Sequence, residues 1–302
     1  MHILVTGATG FIGTRLCERL LEAGHRLSAL SRDPCGAERA FRQRLHAVDS
    51  PTELAADVPL DAVINLAGAP LPGRRWSEAY KQELRDSRIA LTAHLAEQLD
   101  QRGLRPSIWL NGSAIGYYGD CGEETVGEEH EPGSDFAAWL CRDWEDVARA
   151  AARRFDARLG IVRTGIVLGP GGALAAMRPA FALGLGGPLG HGRQFMSWIH
   201  REDLVGLFLH LLKRDDLSGP FNGTAPHPVS NREFAQNLGR LLRRPALLPM
   251  PGFALRLLVG EMAELLLTGQ KVMPVATLDS GFLFRYRELD GALRAALEEL
   301  SG

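Results

Sequence analysis

Apolar residues recur along this chain in short uninterrupted runs separated by stretches of helical period, the pattern of a parallel sheet covered on both faces. His2–Thr6, Leu27–Leu30, Leu45–Val48, Asp61–Leu66, Ser107–Leu110 and a run inside Leu159–Leu168 predict six strands. Between the first two, Thr14–Ala23 carries Leu16, Leu20 and Leu21 at helical spacing, and Gly24 ends it as a left-handed C-terminal residue would. A longer helix is predicted over Trp76–Leu99, with Tyr80, Leu84, Leu91 and Leu95 on one face. After Gly169 the pattern changes: glycine and proline are dense through Gly192, then Asp203–Leu212, Asn231–Leu242 and Phe253–Leu267 read as helices and Phe221–Thr224 as one more strand. The alternation predicts an α/β fold with a doubly wound parallel sheet over 1–168, to which 200–226 returns. A smaller C-terminal substrate lobe is expected from 169–199 and 227–302.

The first strand runs into Gly7-Ala8-Thr9-Gly10-Phe11-Ile12-Gly13 and then a helix. Gly7 permits the tight turn, Gly10 lets the backbone approach a pyrophosphate, and Gly13 allows close packing of the helix. The free N–H groups and partial positive charge of the helix start then face the phosphates. Strand, glycine triplet and helix together predict a Rossmann-type dinucleotide site. The second strand ends in Ser31-Arg32 where an acid commonly takes the ribose hydroxyls of NAD. A guanidinium there can grip a 2′-phosphate, so the local chemistry favours NADP(H) over NAD. Asp33 follows directly, and Arg32 as a solvated loop charge is the bland alternative.

Composition narrows the classes. Of 302 residues 45% are hydrophobic and 23% charged, with a formal net charge of -2, an ordinary globular mixture with no general attraction to nucleic acid or anionic membranes. Cys17, Cys35, Cys121 and Cys141 include no CxxC pair, which argues against a zinc site, and their scarcity suits a reducing, cytoplasmic setting. No secretory h-region opens the chain, and charges interrupt the Leu-rich Phe253–Leu267 stretch, which is too short to span a bilayer.

The Thr6–Gly13 turn, followed by Asn65-Leu66-Ala67-Gly68, resembles the extended short-chain dehydrogenase/reductase superfamily. Arg74-Arg75-Trp76, Gly112–Gly119, Leu140–Glu145, Arg163–Gly169, Leu183–Pro188 and Ser197–His200 narrow the resemblance. Together they point to its atypical epimerase-like branch, similar to NAD-dependent epimerase/dehydratases with a short C-terminal domain. The resemblance implies a Rossmann fold and NADP binding, and no particular substrate. Carried over by position, it puts Gly7, Gly10, Phe11, Ile12 and Gly13 on the pyrophosphate and Ser31 with Arg32 at the adenosine end. It lines the cofactor with Leu66 and Ala67, adds Glu83 and Arg88 from the long helix, and sets Val167 at the nicotinamide end. Arg88 also falls inside the apolar stripe of its helix, so it needs an anion, carbonyls or a structural ion pair.

In the wider superfamily a Tyr with a Lys four residues on transfers the proton, and a Ser or Thr polarises the substrate oxygen. Here Tyr80, Tyr117, Tyr118 and Tyr286 are followed at that spacing by Leu84, Cys121, Gly122 and Asp290, and aligned through Glu145 the two catalytic places hold Ala137 and Cys141. Ser113 remains near the serine position, either as a donor to a substrate carbonyl or as a loop hydroxyl bonded to backbone. Tyr117 is the weaker candidate for a proton donor. His191, Arg193 and Gln194 are candidates for substrate contact; in the His200, Glu202 and Asp203 cluster, Asp203 reads as a helix cap. Two functions follow: an NADP-dependent oxidoreductase or epimerase acting on a small carbonyl, hydroxyl or sugar-nucleotide substrate, or a non-catalytic NADPH-binding sensor or partner protein.

Overall fold

The structure, a computed structural model, describes residues 1–55, 57–72 and 74–300. In chain order its strands are β1 (His2–Thr6), β2 (Arg26–Leu30), β3 (His46–Val48), β4 (Ala62–Asn65), β5 (Ile108–Ala114), β6 (Thr125–Val126), β7 (Arg158–Thr164), β8 (Ile166–Leu168), β9 (Phe195–Met196), β10 (Trp198–His200), β11 (Gly219–Gly223), β12 (Val229–Ser230) and β13 (Lys271–Val272). The α-helices are α1 (Phe11–Glu22), α2 (Pro34–Ala40), α3 (Glu78–Arg85), α4 (Leu91–Gln101), α5 (Phe136–Phe155), α6 (Gly172–Ala182), α7 (Arg201–Lys213), α8 (Asn231–Leu241), α9 (Gly252–Val259), α10 (Glu264–Leu267), α11 (Val275–Asp279) and α12 (Leu289–Glu299).

Among the described residues a seven-stranded sheet runs β3-β2-β1-β4-β5-β7-β11, with every pair parallel. It is the Rossmann-like, doubly wound α/β fold that the apolar runs predict. The two-residue period of a strand divides β1 between the faces. Ile3 and Val5 pack with Leu16 and Leu20 of α1 and Leu204 and Phe208 of α7. Leu4 packs with Val63, Trp109, Leu95 of α4 and Phe155 of α5 on the other side. A further core joins Leu168, Leu174, Phe181, Trp198, Phe234 and Leu293, and belongs to the C-terminal elements. Glu202 of α7 accepts from Arg15 at 2.6 Å and Arg19 at 3.3 Å, which fixes α7 against α1.

Four local predictions are corrected. The fifth strand continues to Ala114, so Ser113 lies in a strand and not in a loop. The sixth run is two strands: at Gly165 a Cβ would stand 2.4 Å from the Ser197 carbonyl oxygen, and that close crossing turns β8 out of the sheet to pair with β10. The long helix begins at Glu78, where the Ser77 hydroxyl accepts the Tyr80 N–H at 3.2 Å, and it carries a π-turn over Asp86–Ala90. Phe253–Leu267 is interrupted at Gly260, whose φ of +66° ends α9. No helix among the described residues is long and apolar enough to cross a membrane.

Candidate functional site

The chain leaves β1 and β4 in opposite directions, and a crevice opens at their carboxyl ends, where doubly wound sheets take ligands. Three glycines shape its floor. Gly7 has φ +69°, and a Cβ there would stand 2.9 Å from the Leu66 backbone, so the loops after β1 and β4 touch. At Gly13 a Cβ would meet the Gly7 carbonyl oxygen at 2.1 Å; the sequence assigns this glycine to close helix packing, and its partner is the loop itself. At Gly10 the nearest atom would be Gly7 O at 3.2 Å, with open space beyond. Gly10 begins α1 without a side-chain cap, and the first intrahelical bond is Thr14 N–H to Gly10 carbonyl at 2.9 Å. The N–H groups of Phe11, Ile12 and Gly13 precede that bond and are left for an acceptor from outside the helix.

One threonine holds the facing loop. The Thr6 hydroxyl donates to Asn65 Oδ1 at 2.6 Å and accepts the N–H groups of Leu66 and Ala67 at 3.1 and 3.0 Å. Asn65 passes the chain on to Thr92 and Asn111, both at 2.8 Å. In the sequence the signal for this role of Asn65 is a lone amide closing the apolar run of β4.

At the end of β2, Ser31 Oγ accepts the Asp33 N–H at 3.2 Å, and the Asp33 carboxylate caps α2 through the Gly36 N–H at 2.9 Å. Asp33 is thereby engaged, while Arg32 is exposed with no recorded partner among the described residues. Arg88 sits on the π-turn, half-buried over the Trp144 ring at 5.3 Å. It donates to the carbonyls of Ala69 at 3.0 Å and Leu84 at 3.3 Å, and Gly68 leaves it room: a Cβ there would lie 2.7 Å from the guanidinium carbon. Among the described residues no carboxylate pairs with Arg88, so carbonyls and not an ion pair hold it, and burial lowers its pKa from the ordinary value. Glu83 is exposed and bound to Arg74 at 3.2 Å, outside this cluster. Val167 lies half-buried in β8 opposite Ile199. Phe11 packs under Gly169, Gly171 and Gly172, so the segment after β8 closes over the start of α1.

The two places that the resemblance aligns with the superfamily's Tyr and Lys hold other groups. Ala137 and Cys141 are buried one turn apart on α5 beneath Gly116, and burial pushes the Cys141 thiol up to about 12. Ser113 donates neither to a loop nor to backbone but to Glu145 Oε1 at 2.8 Å. Glu145 is fully buried and receives both Arg163 Nε at 2.8 Å and a second guanidinium nitrogen at 2.9 Å. Burial pulls the Arg163 pKa down, but the Glu145 carboxylate outweighs it and holds the guanidinium above its ordinary value. Tyr118 is spent in the same network, donating to Asn222 Oδ1 at 2.7 Å. Tyr117 lies half-buried with its ring centroid 3.5 Å from the Arg163 guanidinium, and burial raises its pKa. Its hydroxyl has no recorded partner among the described residues.

Of the C-terminal candidates, Gln194 is buried and donates to the carbonyls of Leu189 and Leu266 at 3.0 and 2.9 Å, a bracing role. Arg193 lines a cavity of about 370 Å³ with Arg232, Lys271, Phe195 and Glu123. His200, not Asp203, caps α7: its Nδ1 accepts the Glu202 N–H at 3.2 Å. Asp203 accepts the N–H groups of Arg285 and Tyr286 at 2.7 and 2.8 Å. Burial against the Tyr286 ring, 4.0 Å away, lowers the His200 pKa to about 4 from 6.5. The unfolded chain therefore binds a proton that the folded chain refuses between those values. The stability from neutral His200 is whole above about pH 6.5 and is lost as pH falls towards 4, on the order of 2–3 kcal/mol. His200→Asn keeps a capping oxygen and is expected to narrow the difference in urea midpoint between pH 7 and pH 4.5; an unchanged difference would contradict this assignment. No cluster of three His, Cys, Asp or Glu among the described residues could hold a metal ion.

The sequence profile of the NAD dependent epimerase/dehydratase family matches residues 3–222, and that of a domain of unknown function (DUF1731) matches residues 250–296. The chain is 42% identical over 310 residues to the Arabidopsis thaliana epimerase family protein SDR39U1 homolog, chloroplastic, covering 99% of this chain and 87% of that protein. It is 39% identical over 300 residues to the Homo sapiens epimerase family protein SDR39U1, with 97% and 99% covered. The crystal structure of the human epimerase family protein SDR39U1 (isoform2) with NADPH superposes with a TM-score of 0.88 at 36% identity, covering 99% of each chain.

Proposed function

This chain belongs to the NAD dependent epimerase/dehydratase family, and on that premise we propose that it holds NADP(H) in the β1–β4 crevice and acts as an oxidoreductase on a small carbonyl, hydroxyl or sugar-nucleotide substrate. The observation that carries this reading is that donors stand at the carboxyl ends of the neighbouring strands β1 and β2 and beside the loop after β4. The free N–H groups of Phe11, Ile12 and Gly13 suit a pyrophosphate, and Gly10 lets it approach. Arg88, a half-buried cation with no carboxylate partner among the described residues, suits further anionic or carbonyl oxygens of the same ligand. Exposed Arg32, with Asp33 turned away into a cap, suits a 2′-phosphate. The related human protein was crystallised with NADPH, which supports the same choice. The nicotinamide, when bound, supplies or accepts hydride. The cavity sets the cations Arg193, Arg232 and Lys271 against the single carboxylate of Glu123, which supports a substrate that carries an anionic group.

The NADP assignment is tested by fluorescence titration. Wild type is expected to bind NADPH more tightly than NADH, and Arg32→Ala to weaken NADPH about tenfold or more while leaving NADH unchanged. Equal affinities in the wild type would refute it.

A second reading, retention of NADPH without turnover in a sensor or partner protein, is favoured by one observation. Ser113 and Tyr118 spend their hydroxyls inside the buried ion-pair network, and Ala137 and Cys141 offer no acid at the usual places. Incubation with NADPH and a panel of aldehydes, ketones and sugar nucleotides separates the two. Oxidation that vanishes in Ser113→Ala favours the enzyme; tight NADPH binding with a silent panel favours the second reading.

A further inference from the structure

The C-terminal elements expose an apolar face that the crevice does not use. Leu183, Leu185, Leu247, Leu248, Phe253 and Leu257 are each between 59% and 80% exposed. They lie on adjoining segments: Arg244 Nε donates to the Ala182 carbonyl at 2.9 Å, Met250 N–H to the Pro188 carbonyl at 2.9 Å, and a Cβ at Gly187 would touch the Leu248 carbonyl oxygen at 2.1 Å. Six large apolar side chains exposed on adjoining segments go beyond the singly scattered apolar residues of an ordinary surface.

The helix α9 is held with this face outward. It buries Leu255, and Arg75 of the α3 approach grips its C-terminal carbonyls at Leu257 and Leu258. Phe253 and Leu257, one turn apart, therefore stay in solvent. Its charge is one-sided. Between Glu233 and Glu261 the sequence holds Arg240, Arg243, Arg244 and Arg256 and no Asp or Glu. Asp290 pairs with Arg240 and Glu264 with Arg256, but no carboxylate among the described residues pairs with Arg243 or Arg244. A second copy docking by two-fold symmetry would set Arg243 and Arg244 against themselves, because Asp290 and Glu264 are already spent on Arg240 and Arg256. An anionic phospholipid surface meets both demands, with acyl chains for the leucines and headgroup phosphates for the arginines.

We propose that this face docks the protein peripherally on an anionic phospholipid bilayer, with Phe253 and Leu257 entering the acyl boundary. The whole-chain charge of -2 predicts no such attraction, because it averages over a face whose own charge is positive. The test is flotation of the full chain with vesicles of phosphatidylcholine alone or with about a third phosphatidylglycerol. The wild type is expected to float with the anionic vesicles at least about tenfold better than with the neutral ones, and less so in high salt. The double variant F253D/L257D is expected to stay behind while keeping its NADPH affinity and melting temperature, since both residues lie outside the crevice. Failure of the wild type to float, flotation unaffected by F253D/L257D, or a dimer in gel filtration that the double variant splits would each overturn the proposal.

Discussion

Gly13→Ala is expected to lower NADPH affinity at least about hundredfold and to cost on the order of 2–4 kcal/mol of stability. The new methyl would stand 2.1 Å from the Gly7 carbonyl oxygen and 3.0 Å from the Ala8 Cα, both backbone atoms. Neither can step aside by a rotamer change, so the turn between β1 and α1 must move. That turn aims the N–H groups of Phe11 and Ile12, and its other flank touches Leu66, so a shift here disorders both walls of the crevice. Gly10→Ala separates obstruction from misfolding. Its methyl would meet only Gly7 O, at 3.2 Å, and otherwise open space. The fold is expected to melt within a few degrees of wild type, with NADPH affinity still reduced about tenfold or more. Thermal unfolding and fluorescence titration of the two variants read the contrast. A Gly13→Ala protein with wild-type affinity would remove the turn from the binding site.

Arg163→Met is expected to destabilise the protein by about 3 kcal/mol, because it leaves a buried carboxylate with only the part-exposed Arg149 as its counter-charge. Arg163 gives two donors to Glu145, a third nitrogen to the Glu128 carbonyl at 2.8 Å and to the Tyr118 hydroxyl at 3.1 Å. After the change Glu145 keeps Ser113 and the half-exposed Arg149, which accounts for one of its oxygens each. The double variant E145L/R163M removes both charges and is expected to recover much of the loss, the behaviour of a buried pair whose desolvation cost nearly cancels its attraction. Urea unfolding of both variants measures the difference. A single variant as stable as wild type would show that the pair does not brace β5, β7 and α5, and would return Ser113 to the pool of free hydroxyls.

The sheet was legible because its strands are buried on both faces and leave near-continuous apolar runs. The glycine turn was legible because its need is local: a positive φ at Gly7 and a neighbour too close for a Cβ at Gly13 exclude other residues wherever the turn occurs. The Ser113 environment was not. Its partner Glu145 lies 32 residues away and Arg163 another 18, on elements whose meeting no periodicity records. The cap of α7 was misassigned for a related reason. Asp203 has the composition of a cap, but Arg285 and Tyr286 come from the far end of the chain to take its carboxylate, and His200 is left at the helix start.

The amino-acid order alone determined the apolar strands of the parallel sheet, the place of the glycine turn and the absence of any Tyr followed four residues on by Lys, since each is read from residues close together in the chain. Only the tertiary structure decided that Arg88 rests on carbonyls, that Ser113 faces a buried carboxylate and that the apolar side of α9 points outward. Those are facts of mutual burial, set by which surfaces the sheet and the C-terminal elements bring into contact, and burial is a property of the packed whole.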